Sequence, residues 1–94
     1  MSIRSFRHKG LKRLYEKGET SGINPALAGK LADLLLALET SVNVEDMGRF
    51  PCWRLHPLKG KLKGFWSVTV SGNWRLIFRF EDGDALGLDL TDCH

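Results

Sequence analysis

A chain of 94 residues can bury one hydrophobic core but not two, and 43 % apolar with 27 % charged residues is the composition of a folded globular protein rather than a disordered or fibrous one. Cys52 and Cys93 make no disulfide framework, Met1-Ser2-Ile3-Arg4 holds no apolar signal core, and no apolar run is long enough to span a bilayer, so one soluble, cytoplasmic domain over residues 1–94 is expected. The net charge of +3 is unevenly spread, with twelve Lys/Arg against six Asp/Glu in residues 1–64 and two against five in 65–94, a basic surface of the kind that nucleic-acid partners use.

Ile3-Arg4-Ser5-Phe6 alternates apolar and polar residues and predicts a short first strand. His8 to Lys17 reads as a basic helix with Leu11, Leu14 and Tyr15 inward, stopped at Gly18. Asn24-Pro25 is a helix start, an N-cap followed by proline at the first helical position, and Leu27, Leu31, Leu34, Leu35 and Leu38 then share one face. Gly29 inside that helix costs about 1 kcal/mol relative to alanine, which points to a close packing contact there.

From Cys52 the apolar period changes from helical to two, and a sheet begins. Trp66, Val68 and Val70 form the inward face of one strand, and Trp74, Leu76, Phe78 and Phe80 that of the next. Leu86, Leu88 and Leu90 continue it in a third. Three-residue turns at Ser71-Gly72-Asn73 and Asp82-Gly83-Asp84 would pair Val70 with Trp74, Val68 with Leu76, Trp66 with Phe78, Phe80 with Leu86, Phe78 with Leu88 and Leu76 with Leu90. The opposite face then carries Thr69, Arg75 and Thr91 in one row and Phe65, Arg79 and Gly87 in another. In the preceding strand Trp53 and Leu55 turn inward, leaving Arg54 and His56 on that same open face. The class is α+β: an N-terminal strand and two helices packed on an antiparallel meander.

Cutting RNA without a metal requires a base for the ribose 2′-OH, a cation to steady the crowded phosphate and an acid for the leaving oxygen. His56, Arg75 and His94 lie on or beside the open face, with Lys59, Lys61 and Lys63 on the adjoining loop. Each also has a structural reading: a strand histidine that only hydrogen-bonds, a terminal histidine that frays, an arginine paired with Asp89 or Asp92, a solvated lysine loop. Three scattered histidines and two distant cysteines match no zinc spacing, and no phosphate-binding glycine pattern follows a strand, so neither metal nor cofactor is expected. Trp53, Trp66 and Trp74 stand at inward positions and read as core rather than as a stacking platform.

Taken together, the opening Ile3-Arg4-Ser5-Phe6-Arg7-His8-Lys9-Gly10-Leu11-Lys12, Arg54-Leu55-His56-Pro57-Leu58-Lys59-Gly60, Trp66-Ser67-Val68-Thr69-Val70, Asn73-Trp74-Arg75 and Asp92-Cys93-His94 resemble the HigB-type killer proteins of the RelE/ParE toxin superfamily over essentially the whole chain. The resemblance implies a RelE-like fold with a curved antiparallel sheet, and an endonuclease acting on mRNA in the ribosomal A site. It also implies a HigA-like helix-turn-helix antitoxin as partner. The family's site carries over to His56, Lys59, Arg75, Asp92 and His94, with Asn73 as a neighbour and Arg54, Lys61, Lys63 and Arg79 as RNA-binding positions. Cys93 departs from the family's Asp-Tyr-His ending, which leaves an attenuated enzyme as one expectation. A nuclease-inactive relative, either a ParE-like gyrase inhibitor or a nucleic-acid-binding module of the same fold, is the other.

Overall fold

Both helices start where side chains satisfy their free amide groups. The computed structural model describes residues 1–92. Helix α1 (Lys9–Lys17) is capped by His8, whose Nδ1 accepts from the Leu11 amide at 3.2 Å, and ends on Gly18 at φ 68°. Helix α2 (Pro25–Thr40) begins at the predicted signal, with the Asn24 side chain accepting from the Ala26 amide at 3.0 Å. Its five predicted inward leucines, Leu27, Leu31, Leu34, Leu35 and Leu38, are all buried.

Gly29 does not mark a packing contact. It is exposed, and a Cβ built there would meet nothing within 4 Å. The close backbone approach lies elsewhere: a Cβ on Gly10 would fall 2.2 Å from the Gly22 carbonyl oxygen. The first turn of α1 therefore packs backbone to backbone on the loop that leads into α2, an approach that leaves no room for a methyl group.

Among the described residues five strands form one sheet in the order β1-β5-β4-β3-β2: β1 (Ser2–Ile3), β2 (His56–Pro57), β3 (Phe65–Ser71), β4 (Trp74–Glu81) and β5 (Asp84–Asp92). Strands β2 to β5 are antiparallel neighbours, as the meander required. Strand β1 instead runs parallel to β5, and a parallel bridge between Phe6 and Leu88 extends the pairing, so this edge of the sheet departs from the antiparallel expectation. The two helices inserted between β1 and the meander provide the crossover that a parallel neighbour needs. They cover one face, where Leu11, Leu31, Leu34 and Leu38 pack with Val68, Leu76, Phe78 and Leu88. Trp53, Trp66 and Trp74 are partly buried against this core.

The central register is as expected for Trp66 with Phe78, Val68 with Leu76 and Leu76 with Leu90. The turns are not. Ser71 pairs with Trp74 and Glu81 with Asp84, so each hairpin closes on two residues rather than three. Asp82 and Gly83, at φ 51° and 81°, supply the double positive φ of a turn whose twist suits the flanking strands. A two-residue turn shifts the pairing by one, and a bulge restores it: one lies between Thr69 and Ser71, the other between Ile77 and Arg79 opposite Leu86 to Asp89. Gly87 takes φ 64° at the second bulge. Beyond it the alternation inverts, so Ala85 is fully buried and Leu86 only half-buried, reversing the expected faces of these two residues.

The predicted strand from Cys52 is also corrected. Pro51–Trp53 is a 3-10 turn, Arg54 follows in the left-handed region at φ 49°, and only His56–Pro57 pairs with the sheet. Proline at position 51 has no amide to give a ladder, and the left-handed Arg54 breaks the extended path.

Candidate active site

Pairing across the sheet places the candidate residues in rows on the face away from the helices. His56 stands opposite Ser67, Ser67 opposite Ile77, and Ile77 opposite Asp89. The next row is Thr69, Arg75 and Thr91, as predicted; the adjacent pair, Trp74 with Asp92, stands one residue further along and so belongs to the other alternation, with Trp74 packed against the core. In the other direction Phe65 stands opposite Arg79. His56 and Arg75 are thus separated by two strand spacings, about 10 Å, across the sheet and one two-residue step, about 7 Å, along it.

This face is not open throughout. Ser67 and Ile77 at its centre are only 2 % and 3 % exposed, so the middle row has a buried floor. His56, Arg54 and Arg79 remain exposed at its rim, and Thr69 and Arg75 are half-buried. The Thr69 hydroxyl oxygen is buried and, among the described residues, has no hydrogen-bond partner; Thr69 stands directly across from Arg75. An unpaired buried hydroxyl costs about 1–3 kcal/mol unless a water or a ligand atom satisfies it.

The His56 ring is held by its own backbone. Its Nδ1 lies 2.9 Å from the Arg54 carbonyl oxygen, and a carbonyl can only accept, so Nδ1 carries the proton. In the neutral ring Nε2 is then the basic atom. Arg54, expected as an RNA contact through its guanidinium, takes part here through its carbonyl, which its left-handed conformation presents to His56.

Arg75 Nη1 donates to the Gly72 carbonyl at 2.7 Å and the Trp74 carbonyl at 3.2 Å, so the hairpin turn anchors the guanidinium. Asn73 is exposed in that same two-residue turn, and Asp92 is exposed at the end of β5. Lys59, Lys61 and Lys63 are exposed on the loop after β2, which contains the short 3-10 turn Gly60–Leu62 and is tied to β3 by the Leu58 amide donating to the Phe65 carbonyl at 2.8 Å. Arg79 pairs with Glu81 at 2.9 Å. Cys93 and His94 lie outside the described residues.

Arg7 joins this face without any forewarning from the sequence. Its guanidinium carbon lies 5.8 Å from the centre of the Phe65 ring, the same distance as that of Arg79. Of the expected Phe65, Arg79, Gly87 row, Phe65 does face Arg79, but the bulge sets Leu86 rather than Gly87 opposite Arg79; the approach of Arg7 follows from the parallel docking of the N-terminal segment on β5, which alternation within the meander does not reveal.

Among the described residues no group of three or more His, Cys, Asp or Glu side chains is placed to hold a metal ion, and no helix is long and apolar enough to cross a membrane.

Two helices packed on one face of a five-stranded sheet, with a basic rim on the other, is the fold of the RelE-like toxins. YafQ from E. coli strain BL21(DE3) superposes with a TM-score of 0.58 at 17 % identity over 97 % of this chain and 91 % of its own. The toxin–antitoxin complex RelBE2 from Mycobacterium tuberculosis gives 0.56 at 18 %, over 97 % and 95 %. Within that class the chain belongs to the HigB-like toxin family, the RelE-like toxins of the type II toxin-antitoxin system HigB, which it matches over residues 4–94. It is 46 % identical over 92 residues to the Endoribonuclease HigB of Proteus vulgaris, covering 98 % of this chain and 99 % of that one. It is 33 % identical over 82 residues to the Toxin HigB-1 of Vibrio cholerae, covering 86 % of each.

Proposed function

We propose that this toxin is a ribosome-dependent endoribonuclease that cuts mRNA in the A site. The ribose 2′-oxygen attacks the adjacent phosphorus, the bond to the 5′-oxygen breaks, and the products end in a 2′,3′-cyclic phosphate and a 5′-hydroxyl. The observation that carries this reading is the His56 tautomer: with Nδ1 donating to the Arg54 carbonyl, Nε2 is free to take the 2′-OH proton. Arg75, steadied by the turn carbonyls, and Lys59 neutralise the phosphate as its charge grows. His94 returns a proton to the leaving oxygen, and Asp92 orients it. Arg54, Lys61, Lys63, Asn73 and Arg79 hold the strand. A small domain makes few contacts to a short message by itself, so the ribosome supplies the remaining orientation of the RNA. The site of action is then the cytoplasm, and a HigA-like helix-turn-helix antitoxin restrains the toxin.

The test is incubation of the purified protein with mRNA-programmed ribosomes and mapping of the cut ends. Cyclic phosphate termini within A-site codons are expected. Intact message, together with inhibition of gyrase supercoiling by the same preparation, would assign the chain to the gyrase-inhibiting branch of the superfamily instead.

A further inference from the structure

The row beyond His56 holds a constellation that takes no part in the proposed proton transfers and that gives Arg79, already counted among the residues holding the strand, two unassigned neighbours. Phe65 on β3 stands opposite Arg79 on β4, and Arg79 in turn pairs with Leu86 on β5, next to Gly87 in the bulge. A Cβ on Gly87 would sit 3.7 Å from the Phe65 ring and 3.7 Å from Arg7 Cδ, so the missing side chain leaves space for the ring and the arginine to meet above it. Arg7 and Arg79 each place a guanidinium carbon 5.8 Å from the ring centre, within reach of cation–π attraction. The ring thus holds two exposed cations from distant parts of the chain beside one another.

Arg7 forms no ion pair among the described residues, and Arg79 is matched only by the exposed Glu81, at 2.9 Å. A solvent-exposed pair of that kind contributes little, so an incoming anion displaces Glu81 at small cost. Two guanidinium groups steadied on an aromatic ring, on the same face as Arg75 and about 13 Å along β4 from it, suit the phosphodiester backbone of an RNA strand.

We propose that Arg7, Phe65 and Arg79 form an RNA backbone subsite separate from the scissile position, with Glu81 as its competing internal anion. This rests on the RNA-cleaving reading, but its test measures binding alone. The probes are vacant ribosomes, and separately a short single-stranded oligoribonucleotide, with His56→Ala as the background so that no cleavage intervenes. Arg7→Gln and Arg79→Gln should each weaken binding by roughly tenfold and flatten the slope of log affinity against log salt by about 0.7 for each phosphate no longer neutralised. Lys17→Gln, which removes the same charge from the end of α1, should do neither, and Glu81→Gln should tighten binding. Phe65→Leu keeps an apolar residue but frees both arginines, and should weaken binding while the circular-dichroism signal of the folded protein persists. Effects confined to ribosomes assign the subsite to ribosomal RNA; effects on the oligoribonucleotide as well assign it to the message. Arg7→Gln and Arg79→Gln indistinguishable from Lys17→Gln in affinity and slope, or weaker binding by Glu81→Gln, would overturn the subsite whether or not the protein cleaves RNA.

Discussion

The imidazole of His56 donates from Nδ1 to the carbonyl oxygen of Arg54, two residues earlier, at 2.9 Å. The bond exists because Arg54 occupies the left-handed region at φ 49°, where the chain leaves a 3-10 turn to enter β2. A backbone irregularity thus decides which ring nitrogen faces the carbonyl and which faces away from it. His56→Ala should lower ribosome-dependent cleavage by roughly 10²-fold or more, the contribution of one proton-transfer group. Single-turnover cleavage of mRNA on ribosomes measures it, and a wild-type rate would remove His56 from the reaction.

Position 93 tests a different contribution. Cysteine has no ring on which a base can stack, and stacking is worth about 1–3 kcal/mol per base in single-strand binding. Cys93→Tyr is therefore expected to raise the cleavage rate by about tenfold, the factor that about 1.4 kcal/mol in the transition state provides. Equal growth inhibition by both forms at matched protein levels would show that the residue has no part in the reaction.

The two glycines of the helical layer make opposite predictions. Gly29→Ala removes backbone freedom at an exposed helical position with open space around it, so it should stabilise the protein by about 0.5–1 kcal/mol. Gly10→Ala forces a methyl group into the Gly22 carbonyl, and should destabilise by about 1–3 kcal/mol. Urea unfolding midpoints of the two variants should move in opposite directions.

Asp46 gives the fold an acid-sensitive cap. Its carboxylate accepts from the Val42 amide at 2.9 Å and the Asn43 amide at 3.3 Å at the start of the 3-10 turn Val44–Gly48, and these bonds hold its pKa below the ordinary value of 3.8. A carboxyl with a lowered folded pKa stabilises the native state fully above its unfolded value, and that contribution disappears as the pH falls through the folded one. The melting-temperature gap between wild type and Asp46→Ala should be widest near pH 7 and should shrink steadily below about pH 4. A gap that does not change with pH would show that the charged form contributes nothing.

Elements with local causes were legible along the chain. Asn24-Pro25 and five leucines at helical spacing define α2, Gly18 ends α1, and alternation through Trp66 to Val70 and Trp74 to Phe78 sets both the core face and the row of Thr69 with Arg75, because a strand has only two faces and one must be buried. Local pattern also placed His56 and Arg75 on a common face. It could not count the residues in a turn, since a two-residue turn with a bulge and a three-residue turn give the same inward pairs near the strand centres, and only the former turns Ala85 rather than Leu86 into the core. The parallel docking of β1, the packing of Gly10 on Gly22, and the meeting of Arg7 with Phe65 each join residues far apart in the chain. No periodicity records such pairs. They were decided in three dimensions, where packing the helices on the sheet carried the N-terminal segment across β5 and brought its arginine onto the face proposed to meet RNA.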